Sequence, residues 1–231
     1  MRTKILGYLF NLFFPRTCCC CDAMLVQSEN QICTHCFFKL PLTNFINLNS
    51  NNVEKLFWGK AQIEAATALL YFAKKENVQK ILHQIKYKNN IKLAHLMGNQ
   101  MGIELKNSDR FQDIDVIIPV PLHWKKKRKR GYNQSEEIAK GIALHFDKPI
   151  NTTCLVRKKH TNTQTKKDRM ERWENVADKF TVLNRHELEG KHILLVDDVV
   201  TTGATLEACA LEILNIPNTK ISVATLAYAG K

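Results

Sequence analysis

Apolar residues follow two periods along this chain. The segments IEAATALLYF (63–72), DVIIPVP (115–121), HILLVDD (192–198) and ISVATLAY (221–228) are short apolar runs bounded by charge, proline or turn residues, the pattern of buried strands. Between them, VQKILHQIKY (78–87), IKLAHLMGNQMGIEL (91–105), the stretch from Gln134 to Phe146 and LEACALEIL (206–214) repeat their apolar positions at the three-and-four spacing of helices. Asn133 and Glu136 open the third of these helices with the spacing of a capping box. Ile5, Leu9, Leu12 and Phe13 predict a further short amphipathic helix at the N-terminus. Strands separated by helices predict an α/β fold, a parallel sheet with helices on both faces, in which a ligand sits at the carboxyl ends of the strands. The asparagine-rich NLNSNN (47–52) reads as a linker and divides the chain into an N-terminal part, 1–46, and a larger domain, 53–231.

Composition narrows the class. With 231 residues, 45% hydrophobic and 24% charged, the chain is globular and a disordered tail protein is excluded. The net charge of +12 is not spread evenly. The unbroken run Lys125, Lys126, Lys127, Arg128, Lys129, Arg130 and the segment 157–172 together carry eleven of the twelve excess charges. A phosphate-rich ligand or partner is therefore expected at these two places. The apolar N-terminal stretch ILGYLFNLFF is about half the length needed to span a bilayer and is followed by no small-residue cleavage site, so a cytoplasmic protein without a membrane span is expected.

A reducing compartment governs how the cysteines are read. Six of the eight lie between Cys18 and Cys36, and they resolve into Cys18-x-x-Cys21 and Cys33-x-x-Cys36. Each pair can turn two thiolates toward one ion, and two pairs supply the four sulfurs of a closed structural zinc site. Cys19, Cys20 and His35 leave the ligand register open, and a disulfide staple or an iron–sulfur cluster are the alternatives. A saturated site of this kind has no position for catalysis, so its role would be to fold a module too small to bury a core unaided. Cys154 and Cys209 sit in apolar surroundings and read as core.

The segment VDDVVTTGAT carries the sharpest chemistry. Thr201, Thr202, Gly203, Ala204 and Thr205 read as a loop between a strand and a helix, where free backbone N–H groups and the helix dipole favour an anion. The threonine hydroxyls add donors, and Gly203 permits close approach or positive φ. Asp197 and Asp198 precede this phosphate cup, and two carboxylates are natural acceptors for two vicinal hydroxyls. Phosphate cup and diol acceptors together specify a ribose 5-phosphate. The competing reading is a plain strand end and turn, which the adjacent carboxylates and clustered threonines disfavour.

HILLVDDVVTTGATLEA closely resembles the phosphoribosyl-diphosphate-binding motif of type I phosphoribosyltransferases. With the four-cysteine N-terminus and the pair DVIIPVPLHWKKKRKRGYNQSEEIA and TNTQTKKDRMERWENVADKF, the chain resembles the ComF family, also described as ComFC or GntX-like, over nearly its whole length. It departs from the family pattern at Asp22, often glycine, and at Lys167, often apolar.

The resemblance implies a type I phosphoribosyltransferase-like sheet with a small N-terminal four-cysteine zinc-finger module. It implies that Asp197 and Asp198 hold the ribose hydroxyls, that Thr201 to Thr205 hold the 5-phosphate, and that Mg²⁺ accompanies phosphoribosyl diphosphate. The segment from Pro119 to Gln134 would be the loop facing pyrophosphate, with Arg130 its nearest cation, and residues 157–172 a loop closing over the site. It also implies a link to DNA uptake in natural transformation, with single-stranded DNA and a DNA-uptake helicase or ATPase as partners.

Six consecutive cations exceed what one pyrophosphate can use. The remainder, Lys125, Lys126, Lys127, Arg128 and Lys129, with Trp124 beside them and Tyr132 and Trp173 near the two basic segments, would suit a single strand stacked on aromatic platforms, or else form a solvated charge run. Two readings follow: a phosphoribosyltransferase with an unidentified acceptor, and a non-catalytic single-stranded-DNA-binding factor built on the same fold. No spacing in residues 53–110 names an acceptor, and His83 and His95 read as packing or surface histidines.

Overall fold

The computed structural model describes residues 15–73, 76–158 and 180–230. The N-terminal helix expected from Ile5 to Phe13, Trp173, and the second basic segment beyond Lys158 lie outside the described residues.

Four strands form one parallel sheet in the order β1-β6-β5-β2, with β1 at Ala65–Tyr71, β2 at Val116–Pro119, β5 at His192–Val200 and β6 at Lys220–Tyr228. The short strands β3, Leu155–Arg157, and β4, Phe180–Val182, pair antiparallel beside it. Alternate residues face opposite layers, as the two-residue period of a strand requires. Leu194 and Val196 join the core on one side, and Ile193 and Leu195 join the core on the other. The first core holds the helices α2, Asn77–Tyr87, α3, Ile91–Lys106, and α5, Gln134–Phe146. The second holds α6, Ala204–Leu214. A short helix, α1, Thr34–Phe38, belongs to the cysteine-bearing segment. The expected parallel sheet with helices on both faces is therefore present, and the carboxyl ends of β2 and β5 lie side by side.

Glycine sets the closeness of one helix pair. A Cβ on Gly98 of α3 would collide with the carbonyl oxygen of Ile138 on α5, and one on Gly141 would come within 2.5 Å of the carbonyl oxygen of His95. The two backbones thus touch, and α5 is pressed into a fixed place above the sheet.

Three sequence expectations need correction. The 47–52 stretch is not a bare spacer: Asn51 is buried, and its Nδ2 donates to the carbonyls of Leu48 at 2.9 Å and Ala66 at 2.8 Å. The buried Glu54 carboxylate that follows accepts from the backbone of Ser50 and Ala66 and pairs with Arg110, because a charge placed there has to be paired and hydrogen-bonded. The capping box at Asn133 does not form; its Nδ2 donates instead to the carbonyl of Val120 at 3.0 Å, fastening the entry of α5 to the end of β2. The run of six cations is not a loop. Residues Trp124–Arg130 form a short helix, α4, closed by Gly131 at φ 83°. Most of its charges crowd the C-terminal half, where the helix dipole favours cations.

Candidate functional site

The end of β5 carries the acidic pair. Asp197 Oδ1 accepts from Ser135 Oγ at 2.8 Å and from the backbone N–H of Asp198 at 2.8 Å. Asp198 Oδ1 lies 3.1 Å from Lys86 Nζ. The two carboxylates thus have different surroundings, one held by neutral donors and one by an ammonium. Burial, and then the charge of Asp198, push the Asp197 carboxyl up to about 7, against the opposing pull of Ser135. A carboxyl pair of this kind offers several acceptor positions to hydroxyl groups while carrying less than two full charges at neutral pH.

Immediately beyond β5 the chain turns through Thr201, Thr202 and Gly203 into α6. Gly203 stands at the N-cap with φ 80°, a backbone conformation that side chains resist, and supplies no capping group. Among the described residues no side chain caps this helix, so its first N–H groups are available to an outside acceptor. The expected five-residue loop is shorter than its sequence suggests, because Ala204 and Thr205 already belong to the first turn of α6. Residues 197 and 199–206 line a hollow of about 60 Å³, the size of a small anion and not of a nucleotide. On the other side of Gly203, Leu56 packs so closely that a Cβ would sit 3.2 Å from its own Cβ.

The basic helix α4 divides its charges. Lys126, Lys129 and Arg130 line a cavity of about 450 Å³ together with Lys86 and Tyr87 from the end of α2 and Asn89 just beyond it. Lys125, Lys127 and Arg128 are not among its lining, and Lys125 Nζ sits 5.5 Å over the ring of Trp124, which is 48% exposed. Arg130 is fixed twice: Nη1 donates to Gln134 Oε1 at 2.7 Å, and its guanidinium lies 5.2 Å over the Tyr87 ring. Tyr132 Oη in turn donates to the carbonyl of Ile85. Gln134 is buried, and among the described residues its Nε2 has no hydrogen-bond acceptor within reach. This is the kind of donor that a ligand or water completes.

The cysteine module also packs along α2. The Sγ atoms of Cys18, Cys21, Cys33 and Cys36 all lie within 4.8 Å of one another, with Cys21 and Cys33 at 3.7 Å. Four sulfurs about 2.3 Å from a tetrahedral zinc are separated by about 3.8 Å, so the donor set fits one metal ion. Backbone N–H groups of Cys33 and Cys20 point at Cys18 Sγ, at 3.3 and 3.4 Å, and outweigh burial to bring that thiol down to about 6. Among the described residues these four are the cysteines whose sulfurs cluster in this way, and Cys154 and Cys209 are buried elsewhere in the core. Lys80 on α2 donates to the carbonyl of Cys20, and Asn90 Nδ2 donates to Gln31 Oε1 at 2.7 Å, so the module docks on the helical layer.

The phosphoribosyl transferase domain family matches residues 132–231, the part of the chain that holds the acidic pair and the cup. Competence protein F of Haemophilus influenzae is 27% identical over 153 residues, covering 64% of this chain and 67% of that protein. The DNA utilization protein YhgH of Escherichia coli O157:H7 is 27% identical, covering 56% of this chain and 58% of the relative. Competence protein ComFC of Bacillus subtilis is 30% identical over 95 residues, covering 41% and 36%. The chain is thus similar, over about half of its length, to competence and DNA-utilization proteins. The aligned parts span little more than half of the YhgH length and about a third of ComFC.

The matched residues 132–231 contain Ser135 as well, while the four clustered cysteines, α2 and α4 lie before them. The fold is that of type I phosphoribosyltransferases. No helix among the described residues is long and apolar enough to cross a membrane. Sequence reading missed Lys86, Tyr87, Asn89 and Ser135. The apolar period of α2 marks its buried face, and nothing in that period distinguishes Lys86 from a solvated lysine. His83 and His95 behave as expected: His83 packs on Tyr87 at 5.1 Å between centroids, and His95 Nε2 pairs with Glu137 at 2.6 Å.

Proposed function

We propose that this protein is a member of the ComF family that binds Mg-phosphoribosyl diphosphate at the carboxyl edge of its sheet and transfers the phosphoribosyl group to an acceptor, in the service of DNA uptake. The observation that carries the reading is the placement of Asp197 and Asp198 just before a cup whose helix N-terminus has no capping side chain among the described residues. Asp197 and Asp198 accept from the two ribose hydroxyls, and the N–H groups and hydroxyls of Thr201, Thr202, Gly203, Ala204 and Thr205 hold the 5-phosphate. Arg130 and its neighbours in the basic cavity face the diphosphate, with Mg²⁺ arriving as part of the substrate. In the reaction the C1–O bond breaks with its electron pair leaving on pyrophosphate, and a lone pair of the acceptor forms the new bond at C1. The protein's share is to stabilise the charge on the leaving group with fixed cations.

The names of the competence relatives support the link to DNA uptake. Zinc held by Cys18, Cys21, Cys33 and Cys36 would be structural, making residues 1–46 a zinc-finger module before a domain at 53–231. A cytoplasmic location goes with this reading. A second reading, a non-catalytic single-stranded-DNA-binding factor working with a helicase or ATPase, is favoured by one observation: exposed Trp124 and three cations of α4 lie outside the basic cavity. Calorimetry with phosphoribosyl diphosphate and Mg²⁺ tests the first reading. Binding by the wild type that disappears in Asp197→Asn/Asp198→Asn supports it, and a wild type that releases no heat and shows no saturation refutes it.

A further inference from the structure

Lys86 sits where two parts of the site meet. Its ammonium is 3.1 Å from Asp198 Oδ1, and the same side chain lines the basic cavity with Lys126, Lys129 and Arg130. It is not a solvated lysine that happens to reach an acid, since only 23% of its side chain is exposed. The last turn of α2 is also gripped on both sides of it. Tyr132 Oη bonds the carbonyl of Ile85, and Arg130 lies over the ring of Tyr87. Arg130 ends α4 and Tyr132 lies in the turn that leads on to α5, so the position of Lys86 is set by the elements that form the cavity.

A residue placed between diol acceptors and a diphosphate cavity faces two demands. Asp198 must be free to accept a ribose hydroxyl, and a ligand carrying several negative charges needs cations at the start of its diphosphate. One ammonium with three donors can meet both by changing partners. We infer that Lys86 is a ligand-binding residue that exchanges Asp198 for the diphosphate when the sugar phosphate enters, holding the acidic pair compensated beforehand and the diphosphate afterwards. This rests on the proposed binding of phosphoribosyl diphosphate and adds a residue, and a conformational exchange, that the sequence did not suggest.

The exchange makes Lys86 selective for one part of the ligand, which separates it from a merely structural role. Titration of wild type, Lys86→Met and Lys86→Arg with three probes, Mg-phosphoribosyl diphosphate, ribose 5-phosphate and Mg-pyrophosphate, reads this directly. Lys86→Met should weaken the two diphosphate-bearing probes by about ten- to a hundredfold, the size of one charged hydrogen bond, while ribose 5-phosphate changes by less than about threefold. Lys86→Arg should recover most of the loss. Equal weakening of all three probes, or none, in a Lys86→Met protein that melts as a folded chain would overturn the inference and leave the binding reading standing. Failure of the wild type to bind phosphoribosyl diphosphate would overturn both.

Discussion

Ser135 Oγ donates to Asp197 Oδ1 at 2.8 Å, tying the first turn of α5 to the end of β5. The bond opposes a carboxyl that burial and Asp198 have pushed up to about 7. The folded state therefore holds this proton more tightly than the unfolded chain. Stability from it is present below the unfolded carboxyl range near pH 4 and is lost as pH rises through 7. Asp197→Asn keeps an oxygen for Ser135 and removes the charge. It should raise stability at pH 8 by on the order of 2 kcal/mol, several degrees of melting temperature, with the gain vanishing toward pH 4. Melting curves at pH 4, 6 and 8 check this, and a variant less stable than wild type at pH 8 would contradict it.

The contact between α3 and α5 gives a second test. Alanine is the better helix former by about 1 kcal/mol, so on propensity alone Gly98→Ala should stabilise. Its methyl group, however, meets the carbonyl oxygen of Ile138, which is backbone and has no rotamer to yield. The expected outcome is a net loss of about 2 kcal/mol or more, with α5 displaced and Ser135 drawn from Asp197. Denaturant midpoints measure the first effect, and weaker sugar-phosphate binding reports the second.

The four-cysteine cluster predicts about one zinc per chain. Cys33→Ser should release the metal and lower the melting temperature, because Cys33 supplies one of the four converging sulfurs. Cys19→Ser should leave metal content unchanged, since Cys19 Sγ is turned to Cys20 Sγ at 3.8 Å and lies outside the cluster. Metal analysis of the purified variants decides the register; metal loss in Cys19→Ser would mean that the ligand set is different.

Why the sequence reveals the strands, the cup and the cysteine pairs, yet not Lys86 or Ser135, has a physical reason. Strands and helices announce themselves through periodic burial, and the cup through local spacing, because its donors are consecutive residues on one turn. The partners of Asp197 and Asp198 come from distant positions in the chain, Ser135 and Lys86, and are joined to them only by the crossing of α2 and α5 over the sheet. Likewise the spacing of Asn133 and Glu136 predicts a cap on their own helix, but β2 ends beside Asn133 and the carbonyl of Val120 is the partner it takes. The six cations of α4 look equivalent in sequence, and only the turn of a helix sorts them into two sets.

That sorting leads to the last prediction. Lys126 and Lys129 line the cavity beside Lys86, whereas Lys125, Lys127 and Arg128 point elsewhere on a helix whose residues 124–129 are all exposed. If the outer set serves a polyanion, its removal should act through counterion release and not through the pocket. Replacing Lys125, Lys127 and Arg128 by Ser should weaken single-stranded DNA uniformly across sequences and reduce the slope of log affinity against log salt by about 2, roughly 0.7 for each phosphate that is no longer neutralised. The same variant should bind phosphoribosyl diphosphate as the wild type does. Replacing Lys126 and Lys129 should weaken phosphoribosyl diphosphate first, because these two face a cavity that a diphosphate can fill. An outer-set variant with an unchanged salt slope would mean that these three charges only solvate the helix, and the surplus on α4 would then have no part in holding a strand.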